Sequence, residues 1–306
     1  MKNKLLTLAV LISQAPVAFA ASSGAAFLKI DSDARAVSMG SAYTALASGV
    51  SAMSYNISGI SFAGRPEVGF SHTSWLMDSN HDFVGVALPL KGGNSPAGGN
   101  RWVAGLGLTR LSNSSTEVRN ADRSVGGSFS AYDQSVSVGL ARALGRTRLG
   151  MGIKYLESSI AGEKAATVAV DMGFSRSLNT RLPLSLGLSV QNLGRGMRYI
   201  SQRDPLPLSL SAGLSSAIIP GLNLAVDVRR LVYDKQTSVS LGTEYAVFSG
   251  LSLRSGYLTR AAATEVKGGG ISAGVGLNIM NASLDYSVTP YGELGNTQKI
   301  TLKKSF

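Results

Sequence analysis

The chain of 306 residues contains no cysteine. That excludes disulfides, zinc–thiolate centres and thiol catalysis. It also suits a chain that crosses an oxidising compartment unfolded, where stray thiols are a hazard. Charge is scarce too: Asp, Glu, Lys and Arg make up 15% of the residues, against about a quarter in ordinary soluble proteins. Histidine occurs twice, at His72 and His81, and neither sits in a spacing typical of metal ligands. No metal or other cofactor is expected. Finally, no stretch offers the ~20 consecutive apolar residues of a spanning helix. Two classes remain: a soluble protein outside the cytoplasm, or a chain that spans a membrane as strands.

What is present begins with a leader. Lys2 and Lys4 precede the apolar run Leu5 to Ile12, and Ala18-Phe19-Ala20 supplies a small-x-small cleavage site. Residues 1–20, with Ala18 and Ala20 as the cleavage residues, are therefore read as a signal peptide. The formal charge is +11, yet the basic residues are scattered singly, with Arg229-Arg230 and Lys303-Lys304 the only adjacent pairs. A nucleic-acid binder clusters its basic residues, so nucleic acid is not expected as a partner. The excess is assigned to loops and rims facing anionic lipid headgroups.

Residues 21–62 form a separate segment, rich in Ala, Ser and Gly. Val37, Met39, Tyr43, Leu46 and Ala47 roughly fit a helical stripe, with Asp33 as its cap and Gly49 as its stop. The segment is expected to be a compact plug or hatch with a short helix. Phe27, Leu28, Met39 and Tyr43 are the candidates for an apolar pocket beside it.

From residue 63 to 306 the pattern changes to period two. Leu184, Leu186, Leu188 and Val190 alternate with Ser185, Gly187, Ser189 and Gln191; Ile271, Ala273, Val275, Leu277 and Ile279 alternate with Ser272, Gly274, Gly276 and Asn278. Successive residues of a strand face opposite sides of a sheet, so one side is apolar and the other is glycine, serine and occasional charge. About fourteen such runs are expected, near 65–74, 82–90, 101–111, 131–143, 147–157, 164–176, 183–193, 206–217, 221–232, 236–247, 250–260, 270–279, 281–289 and 297–306. Their length is that of tilted strands crossing a bilayer. The connections alternate between short turns and longer stretches at 112–130, 158–163, 194–205, 261–269 and 290–296, as in transmembrane barrels. Residues 91–100 break this pattern: ten residues stand where a short turn is expected.

An open sheet of this size would expose unpaired backbone edges to lipid, and closure alone satisfies them. The expected fold is thus all-β: a transmembrane antiparallel β-barrel of about fourteen strands with a small N-terminal plug. Closure puts the polar parity inside. Lys154, Asp171, Gln191, Asp227, Arg229, Glu244, Arg254 and Asp285 fall on that parity, so ion pairs across the lumen are expected, reaching to the plug. The chain ends on Phe306, whose parity matches Ile300 and Leu302. A terminal strand closing on an aromatic looks like the signal read by the outer-membrane assembly machinery. Localisation in a Gram-negative-type outer membrane follows, with its lipid and that machinery as partners.

Two stretches resemble the PorV/PorQ group within the FadL-like outer-membrane barrels. One is Gly24-Ala25-Ala26-Phe27-Leu28, Ala34-Arg35-Ala36, Met39-Gly40, Ala42 to Ala47 and Asn56-Ile57-Ser58-Gly59-Ile60. The other is Asp285-Tyr286 and Pro290 to Thr297, with Val190 to Gly194 a weaker third. The resemblance implies a fourteen-stranded barrel with an N-terminal plug. Asn56 and Gly59 persist at the plug-to-barrel junction, where the family's proline and alanine are replaced by Ile57 and Ser58.

Enzyme chemistry is not expected. A nucleophile–base–acid triad needs groups at hydrogen-bond range, and His81-Asp82 is placed in an outer loop with His72 in the first strand. Gly268-Gly269-Gly270 lacks the Lys-Ser/Thr and helix of a phosphate loop. Two roles remain. As the resemblance implies, the chain would be an accessory of type IX-like protein secretion, docking secretion-system or cargo proteins on loops 112–130, 194–205 and 261–269. Alternatively it is a FadL-like passive uptake channel for hydrophobic small molecules, gated by the plug.

Overall fold

The structure, a computed structural model, describes residues 23–90, 101–113, 116–119, 124–180, 182–199, 202–259 and 270–306. The expected leader with Ala18 and Ala20, the segment 91–100 and the expected loop 261–269 lie outside the described residues.

The chain enters the ring through β1 (Glu67–Ser74), β2 (Ser79–Pro89) and β3 (Trp102–Asn113), then makes a small hairpin, β4 (Thr116–Arg119) and β5 (Val125–Phe129). It returns through β6 (Ala131–Leu144), β7 (Thr147–Ile160), β8 (Glu163–Asn179) and β9 (Pro183–Gly194). A second small hairpin follows, β10 (Met197–Arg198) and β11 (Arg203–Asp204). The ring is completed by β12 (Ser209–Ile219), β13 (Leu222–Leu231), β14 (Gln236–Phe248), β15 (Leu251–Leu258), β16 (Ile271–Ile279), β17 (Ala282–Pro290) and β18 (Asn296–Ser305). Fourteen antiparallel strands form one closed barrel, sealed where β1 pairs with β18, Glu67 opposite Ser305 and Ser74 opposite Gln298. Every expected run corresponds to one of them.

Alternation sorts the side chains as hydrocarbon requires. Along β3, Leu106 and Leu108 are exposed on the outer face, while Val103, Gly105 and Gly107 are buried. Polar residues bound this band at the end bearing the long connections. His72, Asp82, Arg110, Gln134 and Glu157 are successive lateral partners across β1, β2, β3, β6 and β7, all on the outward parity. At the other end Trp102 lies opposite Arg142, whose guanidinium stands 5.3 Å from the indole centroid. Eight residues separate Trp102 from Arg110, which at ~3.4 Å each and a tilt near 40° gives about 21 Å of height, close to the apolar band of transmembrane barrels.

Two local expectations are corrected. Residues 158–163 are not a loop: β7 and β8 continue to Ile160 and from Glu163, joined by Ala161-Gly162 with φ of 52° and 91°. Two positive φ values in succession match the twist of the flanking strands, so a two-residue turn suffices. His81 and Asp82 also lie in β2 and not in a loop, His81 buried on the inner parity.

The helix is shorter than its stripe suggested. α1 spans Ala34–Ser38, capped by the Asp33 carboxylate, which accepts from the Arg35 and Ala36 amides at 2.7 and 3.2 Å. Gly40, at φ 62°, ends it, and a Cβ there would lie 2.5 Å from the Tyr257 backbone. Gly49 is not its stop; it opens a 3-10 turn, Gly49–Ser54, followed by another at Ile57–Phe62. These short turns, with Ala26–Lys29, fill the lumen.

The wall is thinned to receive them. Eleven of the fourteen barrel strands contribute an inward glycine whose added Cβ would fall within 3.0 Å of a plug atom. Gly256 would meet the Gly40 amide at 2.0 Å, Gly173 the Asn56 side chain at 2.2 Å and Gly187 the Thr44 carbonyl at 2.3 Å. Many of these glycines are lateral partners, including Gly69 with Gly85, Gly139 with Gly152, and Gly242 with Gly256. A belt without side chains runs round the inner wall, and plug backbone occupies the space.

Candidate functional site

Six charges of alternating sign join the plug to the wall. Arg35 donates to both Glu244 oxygens at 2.7 and 2.8 Å, and Glu244 also accepts from Arg254 at 2.6 Å. Arg254 bonds Asp285 at 2.7 Å, Asp285 lies 3.7 Å from Lys303, and Lys303 bonds Asp33 at 2.8 Å. Asp33 and Arg35 begin α1, so the circuit closes on the plug. Its members sum to zero charge, and each finds an opposite partner, which is what burial of ions demands. Burial works to raise the Asp33 carboxyl. The Lys303 ammonium and the hydrogen bonds from Lys303, Ser51 and the Ala36 amide outweigh it and hold the group well below the usual carboxylate range. Burial likewise opposes the Arg35 charge, and Tyr43 with Glu244 restores it, raising that group further.

The other inward charges also have assignments. Asp227 accepts from the Tyr43 and Thr44 amides at 2.9 and 2.6 Å, holding a plug turn. Arg229 stands 3.6 Å from Asp31. Lys154 meets Asp171 at 2.6 Å and Asn192 at 3.1 Å, and Asp171 accepts from the Asn192 amide at 2.9 Å. This last trio marks a bulge: between Val170–Leu193 and Met172–Val190 two residues oppose one, and Asn192 adopts φ 62°.

Asn56 is a staple. Its side chain donates to Thr44 and Phe174 carbonyls at 2.9 and 3.0 Å and accepts from the Ser58 hydroxyl at 2.8 Å. Gly59 stands where a Cβ would be 2.1 Å from the Ala47 carbonyl. Close packing accounts for both junction residues.

Above the plug, toward the long connections, lies a cavity of about 560 Å³. Phe27 and Leu28 line it, but Met39 and Tyr43 do not. The four expected pocket residues divide among three apolar clusters: Phe27 and Leu28 with Leu156, Met197 and Leu206; Met39 with Ala42 and Ala225; Tyr43 with Val50, Met53 and Phe83. Composition showed they were apolar, and only the fold could separate them. The first cluster uses the connection between β9 and β12, which folds inward on Met197 and Leu206 and binds the Gly24 amide through Pro205. Serine and threonine share the rest of the cavity wall with apolar residues such as Ile30, Val37, Leu111, Leu231 and Leu258, and Lys29, Asp31, Asp133, Lys154, Arg229 and Lys299 also line it.

His72 pairs with Asp82 at 2.6 Å on the outer face, away from the cavity. No cluster of His, Asp and Glu able to hold a metal occurs among the described residues.

No family model matches the chain, and no curated protein matches it. Solved structures do. The toluene transporter TbuX of Ralstonia pickettii aligns at a TM-score of 0.63 and 12% identity over 89% of this chain and 98% of its own. The P. putida toluene transporter TodX aligns at 0.59 and 14% identity, covering 89% and 98%. A Pseudomonas aeruginosa FadL homologue aligns at 0.56 and 9%, covering 90% and 98%. The fold is FadL-like. At these identities the likeness is one of fold, and these three structures do not single out the PorV/PorQ group.

Proposed function

We propose that the chain is a non-enzymatic outer-membrane channel of Gram-negative type, admitting small molecules past its N-terminal plug without a cofactor. One juxtaposition carries this. The 560 Å³ cavity reaches the inner side of the β8–β9 bulge at Lys154, Gln191 and Asn192. On the outer side of the same wall lies an apolar groove of about 480 Å³ formed by Met172, Phe174, Leu188, Val190, Leu210 and Val228. A molecule held above the plug thus has an apolar surface waiting across the one place in β8 and β9 where the ladder is interrupted. Phe27, Leu28 and Leu111 supply apolar surface on the cavity wall.

The test is uptake into proteoliposomes. Small aromatic solutes should enter faster through the full chain than through one whose bulge is closed by deleting Asn192. Equal rates would overturn lateral passage, and no entry in either would overturn the channel.

A second role, docking of secretion-system or cargo proteins in the manner of PorV/PorQ barrels, is supported by the resemblance at both chain ends. The inward-folded β10–β11 connection adds a built surface at the long-connection end. Recovery of a large surface protein with the detergent-extracted barrel is the observation that would favour it.

A further inference from the structure

Lys299 is a cation without a carboxylate. It is 3% exposed, and its ammonium bonds only the Asp31 carbonyl and the Thr73 hydroxyl. Among the described residues no acidic oxygen lies within ion-pair distance of it. The nearby acids are engaged elsewhere: Asp33 with Lys303 and Ser51, Asp31 with Ser41 and, at 3.6 Å, Arg229, and Asp82 with His72. Lys299, Arg229 and Asp31 all line the cavity, so two cations share one carboxylate there. A buried charge is stable only when paired, and Lys299 has no carboxylate in direct contact among the described residues.

The surroundings are unsatisfied in the same sense. Ser287, the lateral partner of Lys299, and Ser32 and Thr289 are buried, line the cavity and have hydroxyls with no hydrogen-bond partner among the described residues. Buried polar groups are normally paired; these hydroxyls are left unpaired within the wall at residues that line the cavity. Above them stands an aromatic pair, Trp75 and Tyr291, with centroids 5.5 Å apart and planes at 72°. Trp75 follows Thr73 by two residues on the same parity, about 7 Å along the strand direction, a span comparable to one carboxylated ring.

We propose that Lys299, with the hydroxyls of Ser32, Ser287 and Thr289, is a carboxylate-binding subsite, and that the solute taken up is a small aromatic acid whose ring rests against Trp75 and Tyr291. This rests on the uptake reading and narrows it. The ammonium without a carboxylate disfavours a neutral hydrocarbon.

The chain has two tryptophans, Trp75 and Trp102. In a W102F background, Trp75 fluorescence of the folded barrel reports on the site. Benzoate should quench it at least tenfold more tightly than benzyl alcohol. Lys299→Met should remove that preference and leave benzyl alcohol unchanged, while Lys299→Arg should keep it. Heat-modifiable migration verifies folding of each variant. Equal binding of benzoate and benzyl alcohol, or an unchanged preference in Lys299→Met, overturns the subsite. Phosphate competing as well as benzoate overturns the aromatic-acid assignment. Uptake of neutral solutes with no acid preference would sink the subsite alone; benzoate binding without uptake would sink the channel alone.

Discussion

Arg35 and Glu244, 209 residues apart in the chain, meet in a two-point hydrogen-bonded pair that ties the plug helix to β14. Glu244 serves Arg254 as well, so Glu244→Gln would leave two guanidinium groups without their shared anion. Breaking a buried pair from one side costs about 3–5 kcal/mol. The urea midpoint of the folded band should drop accordingly, and the double variant Arg35→Met/Glu244→Met should recover part of it. An unmoved midpoint in Glu244→Gln would show that the circuit does not hold the plug.

Gly256→Ala tests the belt. The new methyl would lie 2.0 Å from a plug amide with no flexible neighbour to yield, so overpacking of roughly 1–3 kcal/mol or more is expected. The plug should become sensitive to added protease. Gly64→Ala, where nothing lies within 4 Å, is the control that should change neither stability nor cleavage.

Outward sorting predicts a different cost. Val138 is 56% exposed in the middle of β6's outer face. Val138→Arg should destabilise the barrel in bilayers by ~2–4 kcal/mol, the penalty for arginine near the midplane. Thermodynamic folding titrations into vesicles measure it, and a value near zero would remove lipid from that face.

Acid should loosen the plug through Asp33. Its folded pKa lies below the unfolded value near 3.9, so its contribution is complete above that value and fades as pH falls beneath it. Protease protection of the plug should persist at pH 5 and be lost in the more acid range. Asp33→Asn should have lower protection throughout and lack that acid-dependent component.

Removing Phe306 should reduce assembly more than stability. Its amide bonds the Pro66 carbonyl at 2.9 Å, while its ring is 62% exposed and touches little besides Lys304. The fraction reaching the heat-modifiable form in cells should fall, with the unfolding midpoint of the assembled fraction nearly unchanged.

The fourteen strands were legible because period two is imposed by the strand itself and repeated in every run. The inward charges were legible for the same reason: parity places Glu244, Arg254 and Asp285 inside without knowledge of their partners. Arg35, which completes the circuit, had no such signal, because a plug without regular structure offers no parity; Lys303 shares the inward parity of Lys299 and Thr301 in β18, and only its partner Asp33, 270 residues away, was out of reach. The belt did leave a signal. Inward-parity glycines recur near mid-strand, as Gly187, Gly242 and Gly274 do, and a lumen without side chains implies a filler made of backbone. The Ala34–Gly49 stripe misled because Met39 and Tyr43 satisfied a helical period while packing into separate apolar clusters beyond a helix that ends at Ser38.

The amide of Ala34 bonds the hydroxyl of Thr301, and Asp33 bonds Lys303, so the plug is fastened to the strand that closes the barrel. Such long-range partners carry a large loop-closure cost, which ordering of the strands between them lowers. The stopper therefore has to wait, unfastened, while the staves assemble, and the same last stave that shuts the cask also drives the bung home.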